Sequence, residues 1–479
     1  MFLGIDLGTG SMKLMLLEPD GSEHIASRVY SVISPEPGWA EIDPLIWLDA
    51  LESGLKELPF TDKIRAIGLS GQMHGIIPCR GEKGRAPEPL MAAITWADRR
   101  AGRYCSHYNY LRGDEKTRLG NPVSAGMAGL SLLWIRDERP EIYHKTETVL
   151  LPKDFVRASL TGDRCSDFSD ASGTLLYDFT ERSWYHNLID HLGIRGDILP
   201  ELKSGLDIAG FVTEEASRRF GLPSGIPVVT GAGDTPAAMY GTGLTDPATA
   251  QISVGTAAQV SRSVPGAELP SSANLNIFEG VSSEYRYQIA AMLNGGLALE
   301  WVRRQLGFDW EELYTKLEKD GLERPRDLIF IPHLSGERTP YMNPDARGAW
   351  IGLSISHEKE DLALSALLGV ASSVRLGAET LEESGSGSIG TFRFIGGSAR
   401  YPFWRKLLAG MLGRPLQVSE HRDSSVRGAA MMAARAAGNF IPDHVEYTEE
   451  AVGNFPWMND YYSRQKEFYR IISTVPGLD

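Results

Sequence analysis

The sequence predicts an α/β protein made of two related halves, with strands and helices layered in each. Three observations carry this. Apolar runs of strand length alternate with segments of helical period along the chain. A strand, a Gly-Thr turn and a second strand open the sequence and recur just past residue 250. The segment Ile67-Gly68-Leu69-Ser70-Gly71 has an echo in Phe394-Ile395-Gly396-Gly397-Ser398. An ordered pair of features repeated after about 240 residues reads as an internal duplication. Turn chemistry at Leu244-Thr245-Asp246-Pro247 suits a boundary, which gives an N-terminal domain of residues 1–244 and a C-terminal domain of residues 245–479.

The elements follow in order. Phe2, Leu3 and Ile5 lead into Asp6-Leu7-Gly8-Thr9-Gly10-Ser11, and Lys13 to Leu17 lead out, so residues 2–17 form a hairpin with a tight, small-residue turn. Residues 64–70 read as a buried strand ending in the polar loop Gly71-Gln72-Met73-His74-Gly75. Residues 129–145 and 153–162 read as helices. Ile226 to Thr230 is a short strand running into Gly231-Ala232-Gly233-Asp234-Thr235-Pro236. The second hairpin is Ala250 to Val254, the turn Gly255-Thr256-Ala257, and Gln259 to Ser261. Leu364, Leu367, Leu368 and Ala371 mark one late helix. Trp404, Leu407, Leu408 and Met411 mark another, with Ser398 or a residue just after it as the expected cap.

Composition narrows the function. Of 479 residues 42% are hydrophobic and 23% charged, which excludes a disordered chain. The net charge of −14 speaks against nucleic acid or an anionic membrane as partner. An anionic ligand such as a nucleotide then needs backbone donors or a metal ion. The cysteines Cys79, Cys105 and Cys165 are sparse and lack zinc-ligand spacing, as suits a reducing cytoplasm. No run of about eighteen apolar residues occurs, so no membrane-spanning helix is expected. The start shows no secretory signal, and a cytoplasmic location is expected.

Asp234 stands out among the candidate site residues. Between Arg219 and Arg262 the only charged residues are Asp234 and Asp246, in a stretch rich in glycine. A carboxylate there is either a helix cap, since Thr-Pro-Ala-Ala follows, or a group pointed into a cleft, and one residue can do both. In the first hairpin Gly8, Thr9, Gly10 and Ser11 offer N–H groups and hydroxyls to phosphate, Asp6 could hold a hydrated Mg²⁺, and Lys13 could add a point charge. His74 in its loop reads as a surface or packing residue, and Trp96 at the end of a strand-like run as a core residue or a wall for a sugar. No Gly-Lys dipeptide occurs, and the one Gly-x-Gly-x-x-Gly match, Gly385 to Gly390, follows a helix and precedes a strand, so P-loop and dinucleotide-fold readings fail.

Taken together these segments resemble the FGGY family of carbohydrate kinases and, within it, the xylulose kinases. The resemblance rests on Gly4-Ile5-Asp6-Leu7-Gly8-Thr9, Ser70-Gly71-Gln72-Met73-His74-Gly75, Trp96-Ala97-Asp98-Arg99-Arg100, Leu151-Pro152-Lys153-Asp154 and Asp167 to Thr174. It continues through Gly233-Asp234, Ser253 to Thr256, Leu334-Ser335-Gly336-Glu337-Arg338-Thr339-Pro340 and Ile395 to Arg400. It implies two duplicated ribonuclease-H-like, actin-like domains flanking a cleft, with sugar held mainly by the first and ATP by the second. It further implies that Asp6, Thr9, Gly10 and Lys13 line one phosphate loop and Gly255 and Thr256 the other. Gly296, Glu300, Gly397 and Tyr401 would border the nucleotide, and Met73, His74, Trp96, Asp234 and Thr235 the sugar. Asp234 would be the general base for ATP- and Mg²⁺-dependent phosphorylation of D-xylulose. The sequence departs from the family pattern at Thr235, where Asn is common, and at Val-Gly-Thr-Ala in the second turn. The first departure keeps ribulose, fuculose and gluconate open as acceptors. A non-catalytic nucleotide or sugar sensor is the alternative of another class. A homodimer is compatible with all of these.

Overall fold

The computed structural model describes residues 1–267, 269, 274–320, 327–419, 423–439, 441, 447–453 and 455–473. Strand Phe2–Leu7 pairs antiparallel with Ser11–Leu17, which pairs antiparallel with Glu23–Val29. On its other side Phe2–Leu7 runs parallel to Ala66–Gly71, and that strand runs parallel to Pro227–Val229 and Ala232–Gly233. The second half repeats the plan. Thr249–Val254 pairs antiparallel with Ala258–Pro265, which pairs antiparallel with Tyr285–Met292. Thr249–Val254 is parallel to Thr391–Ile395, which is parallel to Leu416–Ser419. Strand order and polarity match between the halves, so the fold is a duplicated ribonuclease-H-like pair of domains. The echo between residues 67–71 and 394–398 marks the same parallel neighbour of the first strand in each.

Helices cover both faces of the first sheet, which is why Phe2–Leu7 is buried at every position. On one face lies helix Pro44–Leu55, started by Asp43, whose side chain accepts from the Leu45 N–H at 3.0 Å, and by Pro44. It buries Trp47, Leu48, Leu51 and Leu55 against Leu3, Ile5 and Leu14, each worth about 1.5–3 kcal/mol of apolar burial. The other face carries helix Ser424–Ala436, which comes from the second half of the sequence. It lies so close that a Cβ on Gly4 would stand 2.2 Å from the Val426 carbonyl oxygen, and one on Gly68 1.9 Å from that of Ala429. The same helix crosses Asp234–Gly241 with equal intimacy. A Cβ on Gly428 would lie 1.9 Å from the Ala237 oxygen, and one on Gly241 2.3 Å from that of Ser424. Glycine at the crossing lets two backbones touch.

Three local expectations change. The helix expected over 129–145 is two helices, Ala128–Glu138 and Pro140–Lys145, because Pro140 lacks the N–H that would continue the first. The helix marked by Trp404, Leu407, Leu408 and Met411 is Pro402–Leu412 with Tyr401 at its cap position. Ser398 caps nothing; its hydroxyl donates to the Val254 carbonyl at 2.8 Å. Helix Lys359–Glu383 has the length and mean hydropathy to cross a bilayer, which a search for unbroken apolar runs overlooks. Its most apolar window is 78% buried within the protein, among Phe330, Phe392 and Leu407 of the second core.

Candidate active site

Asp6 sits near the end of the first strand, 9% exposed. Its Oδ1 accepts the Ser70 hydroxyl at 2.9 Å from the neighbouring parallel strand, and its Oδ2 accepts the Ser425 hydroxyl at 2.6 Å from the other half of the chain. Burial raises its pKa above the usual carboxylate value, against the opposing pull of the two serines and Lys13. Asp234 is the first residue of helix Asp234–Gly241. Its Oδ1 takes the Thr235 N–H at 2.6 Å and the Thr235 hydroxyl at 3.3 Å. Its Oδ2 has no partner among the described residues. Burial, then the charge of Asp6, pushes Asp234 up to about 6. Asp234 is not the helix cap: Gly233 holds the cap position and no side chain caps the helix, so the carboxylate has one oxygen held by Thr235 and the other open.

Each hairpin turn presents open backbone donors. Gly8 N–H closes its turn on the Ser11 carbonyl at 2.9 Å, and Tyr30 braces it through a hydroxyl bond to the Gly8 carbonyl at 2.6 Å. Gly255 N–H closes the second turn on Ala257 at 2.9 Å. The N–H groups of Thr9, Gly10, Thr256 and Ala257 have no acceptor among the described residues. A Cβ on Gly10 or Gly255 would meet nothing nearer than 3.9 Å, and one on Gly397 nothing within 4 Å. Helix Gly296–Leu306 begins against the second turn: Gly296 N–H donates to the Gly255 carbonyl at 2.7 Å and Leu297 N–H to that of Thr256 at 2.9 Å. Free N–H groups, open space and a helix N-terminus suit phosphate oxygens.

The remaining expected residues divide. Trp96 is 44% exposed and donates its indole N–H to the Thr9 hydroxyl at 2.9 Å, tying the aromatic wall to the first turn. His74 has a left-handed φ of 71°, uncommon outside glycine, and its Nδ1 is 2.7 Å from the Gly173 carbonyl. A carbonyl only accepts, so Nδ1 carries the hydrogen and Nε2 is left as an acceptor. Burial lowers the His74 pKa to about 4, so the ring is neutral. Met73 packs with Phe278 and Ile289, and a Cβ on Gly233 would run into it at 2.6 Å. Tyr401 lies with its ring centroid 4.7 Å from that of Tyr314. Two side chains have other partners. Lys13 Nζ is 2.5 Å from Asp423, so it is not a free charge, and Glu300 is paired with Arg303 at 2.6 Å.

Sequence reasoning missed Ser70, Ser425 and Asp423, and it left the amide of Gln72 unconsidered. Gln72 is 1% exposed with neither amide atom paired among the described residues. Ser424-Ser425 ahead of an alanine-rich helix was a visible signal of an N-terminus, but nothing local tied it to residue 6. Asp6 also passes a test for magnesium: a hard carboxylate, its pKa raised and a second carboxylate beside it, calls for a cation. Among the described residues no group of three or more His, Cys, Asp or Glu could form a cage, so such an ion would need oxygens from phosphate and water as well.

Two turns with open backbone N–H groups and a pair of buried carboxylates suit an enzyme that moves a phosphoryl group between two ligands. Comparison with known proteins is specific. Residues 1–241 match the N-terminal domain of the FGGY family of carbohydrate kinases, and residues 250–437 match its C-terminal domain. The xylulose kinase of Escherichia coli (strain K12) is 31% identical over 442 residues, 91% of this chain and 89% of that one. The gluconokinase of Bacillus subtilis (strain 168) is 27% identical over 471 residues, 94% of this chain and 90% of that one. A crystal structure described as a xyloylose kinase from Brucella ovis superposes with a TM-score of 0.91 at 29% identity, covering 98% of this chain and 99% of that one. The chain belongs to the FGGY family of carbohydrate kinases. It is a sugar phosphotransferase, and ATP is the phosphoryl donor of that family.

Proposed function

We propose that the protein transfers the γ-phosphoryl group of ATP to a primary hydroxyl of a ketose, O5 of D-xylulose, with Asp234 accepting the hydroxyl proton. Residues 1–244 hold the sugar and residues 245–479 most of the nucleotide. The observation that carries this is the divided role of the Asp234 carboxylate: Thr235 fixes Oδ1, and Oδ2 is open beside Asp6. A carboxylate is a weak base for an alcohol, so its proton transfer is late and the chain's main work is positioning. The N–H groups of Thr9, Gly10, Thr256 and Ala257 hold phosphate oxygens from both lobes. A magnesium ion, if bound, would be held by Asp6 and would offset phosphate charge against a protein of net charge −14. His74 Nε2 accepts a sugar hydroxyl, Trp96 forms a wall, and Met73 and Thr235 close the pocket. Glu300, Gly296, Gly397 and Tyr401 border the nucleotide. Closure of the lobes over both ligands would keep water from competing with the sugar. Three free cysteines, two of them buried, suit a cytoplasmic setting.

Xylulose rests on the names of relatives at about 30% identity; gluconate is favoured as second acceptor by the gluconokinase match. The test is ADP release by the purified protein with ATP and Mg²⁺ against D-xylulose, ribulose, fuculose and gluconate. Highest kcat/KM on D-xylulose is expected. A preference for another acceptor overturns the sugar, and no sugar-dependent release with any of them overturns the kinase reading of this cleft. Within it, His74→Ala should raise the sugar KM roughly 10-fold, the loss of one buried hydrogen bond, with the ATP KM within about twofold. Equal changes in both constants would remove His74 from the sugar pocket.

A further inference from the structure

Behind Asp234 lies a buried charge cluster that touches neither ligand turn. Lys153 opens helix Pro152–Thr161, and its Nζ lies 2.6 Å from Asp154, 2.5 Å from Asp167 and 3.1 Å from Asp170. All four side chains are at most 1% exposed. One turn on, Arg157 bonds Asp154 at 2.6 Å and donates to the Thr230 carbonyl at 2.8 Å. Asp167 Oδ1 accepts the Ser169 N–H at 2.8 Å, the Asp170 N–H at 3.1 Å and the Ser169 hydroxyl. The Ser169 oxygen in turn accepts the N–H of Gly233 at 3.0 Å. Gly233 immediately precedes Asp234.

Two chains of bonds therefore grip the segment that delivers Asp234. Arg157 holds its start at Thr230, and Lys153 holds its end through Asp167 and Ser169. The polarity of the second chain is fixed by charge. A serine hydroxyl has one hydrogen and can donate once. Asp167 accepts two backbone N–H groups through Oδ1 and faces the Lys153 ammonium with Oδ2, so it takes that hydrogen too, and the Ser169 lone pairs are left for the Gly233 N–H. Five ionised or ionisable groups out of water are costly, and apolar side chains of the same volume would stabilise the fold as well or better. Their use here is geometric. Strand Ala232–Gly233 pairs with Ser70–Gly71, the strand end whose Ser70 holds Asp6. The cluster thus references Asp234 to the sheet that carries Asp6.

We propose that Lys153, Asp167 and Ser169 form a positioning network that sets the angle at which the Asp234 carboxylate meets the acceptor hydroxyl, with Ser169 as its last link. This rests on Asp234 being the base. Ser169→Ala leaves the Gly233 N–H without its acceptor and the loop free to shift by a fraction of an ångström. A misplacement of this kind costs roughly 10-fold or more in rate.

The experiment is a double-mutant cycle on the full chain, with folding checked by thermal unfolding. Ser169→Ala should lower kcat roughly 10-fold with the ATP KM within about twofold, and Ser169→Thr should recover part of the loss. In an Asp234→Asn background Ser169→Ala should cost nothing further, because there is no base left to aim. Wild-type kcat in Ser169→Ala, or a loss that multiplies fully with Asp234→Asn, overturns the network while leaving the base in place. Wild-type turnover in Asp234→Asn alone removes the base and this inference with it.

Discussion

Asp234→Asn should lower turnover by roughly 10²–10⁴-fold in a protein that stays folded. The substitution keeps the Oδ1 contact to Thr235 and removes only the ability of the free oxygen to take a proton, so the loss falls on kcat. The pH dependence follows from the raised pKa of about 6. Activity of the free enzyme, read as kcat/KM, should rise through about pH 6 as Asp234 ionises. Stability runs the other way. A carboxyl with a folded pKa above its ordinary 3.8 binds its proton more tightly folded than unfolded. Its contribution to stability is complete below pH 3.8 and is lost as pH climbs through about 6. Asn carries no charge to be buried away from water or to repel Asp6. The variant should therefore be more stable than the parent at pH 7, by on the order of 1 kcal/mol, and the difference should vanish near pH 4. Thermal unfolding of both proteins across that range reads the effect. A variant destabilised at pH 7 would contradict the electrostatics given for the carboxylate pair.

The second large effect is structural. Gly428→Val should cost roughly 3 kcal/mol and abolish most activity. The new Cβ would lie 1.9 Å from the Ala237 carbonyl oxygen, backbone that cannot step aside. Helices Asp234–Gly241 and Ser424–Ala436 would be wedged apart, and these carry Asp234 and Ser425 to the cleft. Gly196→Ala is the control: its Cβ would meet only Ile189, at 3.9 Å, and stability should change by less than about 0.5 kcal/mol. Denaturant unfolding with parallel activity assays measures both. If Gly428→Val folded and turned over normally, the helix crossing would not be the element that aligns the two halves.

Much of this was legible from local pattern. The hairpins at 2–17 and 250–261 announce themselves because small turn residues and apolar strands lie within a few positions of one another. Asp234 was conspicuous because its neighbours are so apolar. Long-range pairing was not legible. Ser425 reaches Asp6 across 419 positions and Asp423 reaches Lys13 across 410, through a helix of the second half that packs on the first sheet. No periodicity in residues 424–436 names the surface that receives it; the complementary glycines at 4 and 68 are intelligible only once the two are side by side. Lys153 and Asp167 stand in the sequence as letters of a motif, and nothing there signals their burial, since charged residues are seldom this enclosed. Pro140 was visible, and the break it makes in the 129–145 segment follows from its missing N–H.

The central claim is that the free oxygen of Asp234 receives the proton of the acceptor hydroxyl. A crystal structure with D-xylulose and a non-hydrolysable ATP analogue tests it most directly. The account predicts Asp234 Oδ2 within hydrogen-bond reach of O5, about 2.6–3.2 Å, with the phosphates lying between the turns at Thr9 and Thr256. A closed complex with O5 held by another residue and Asp234 more than about 5 Å away would contradict it.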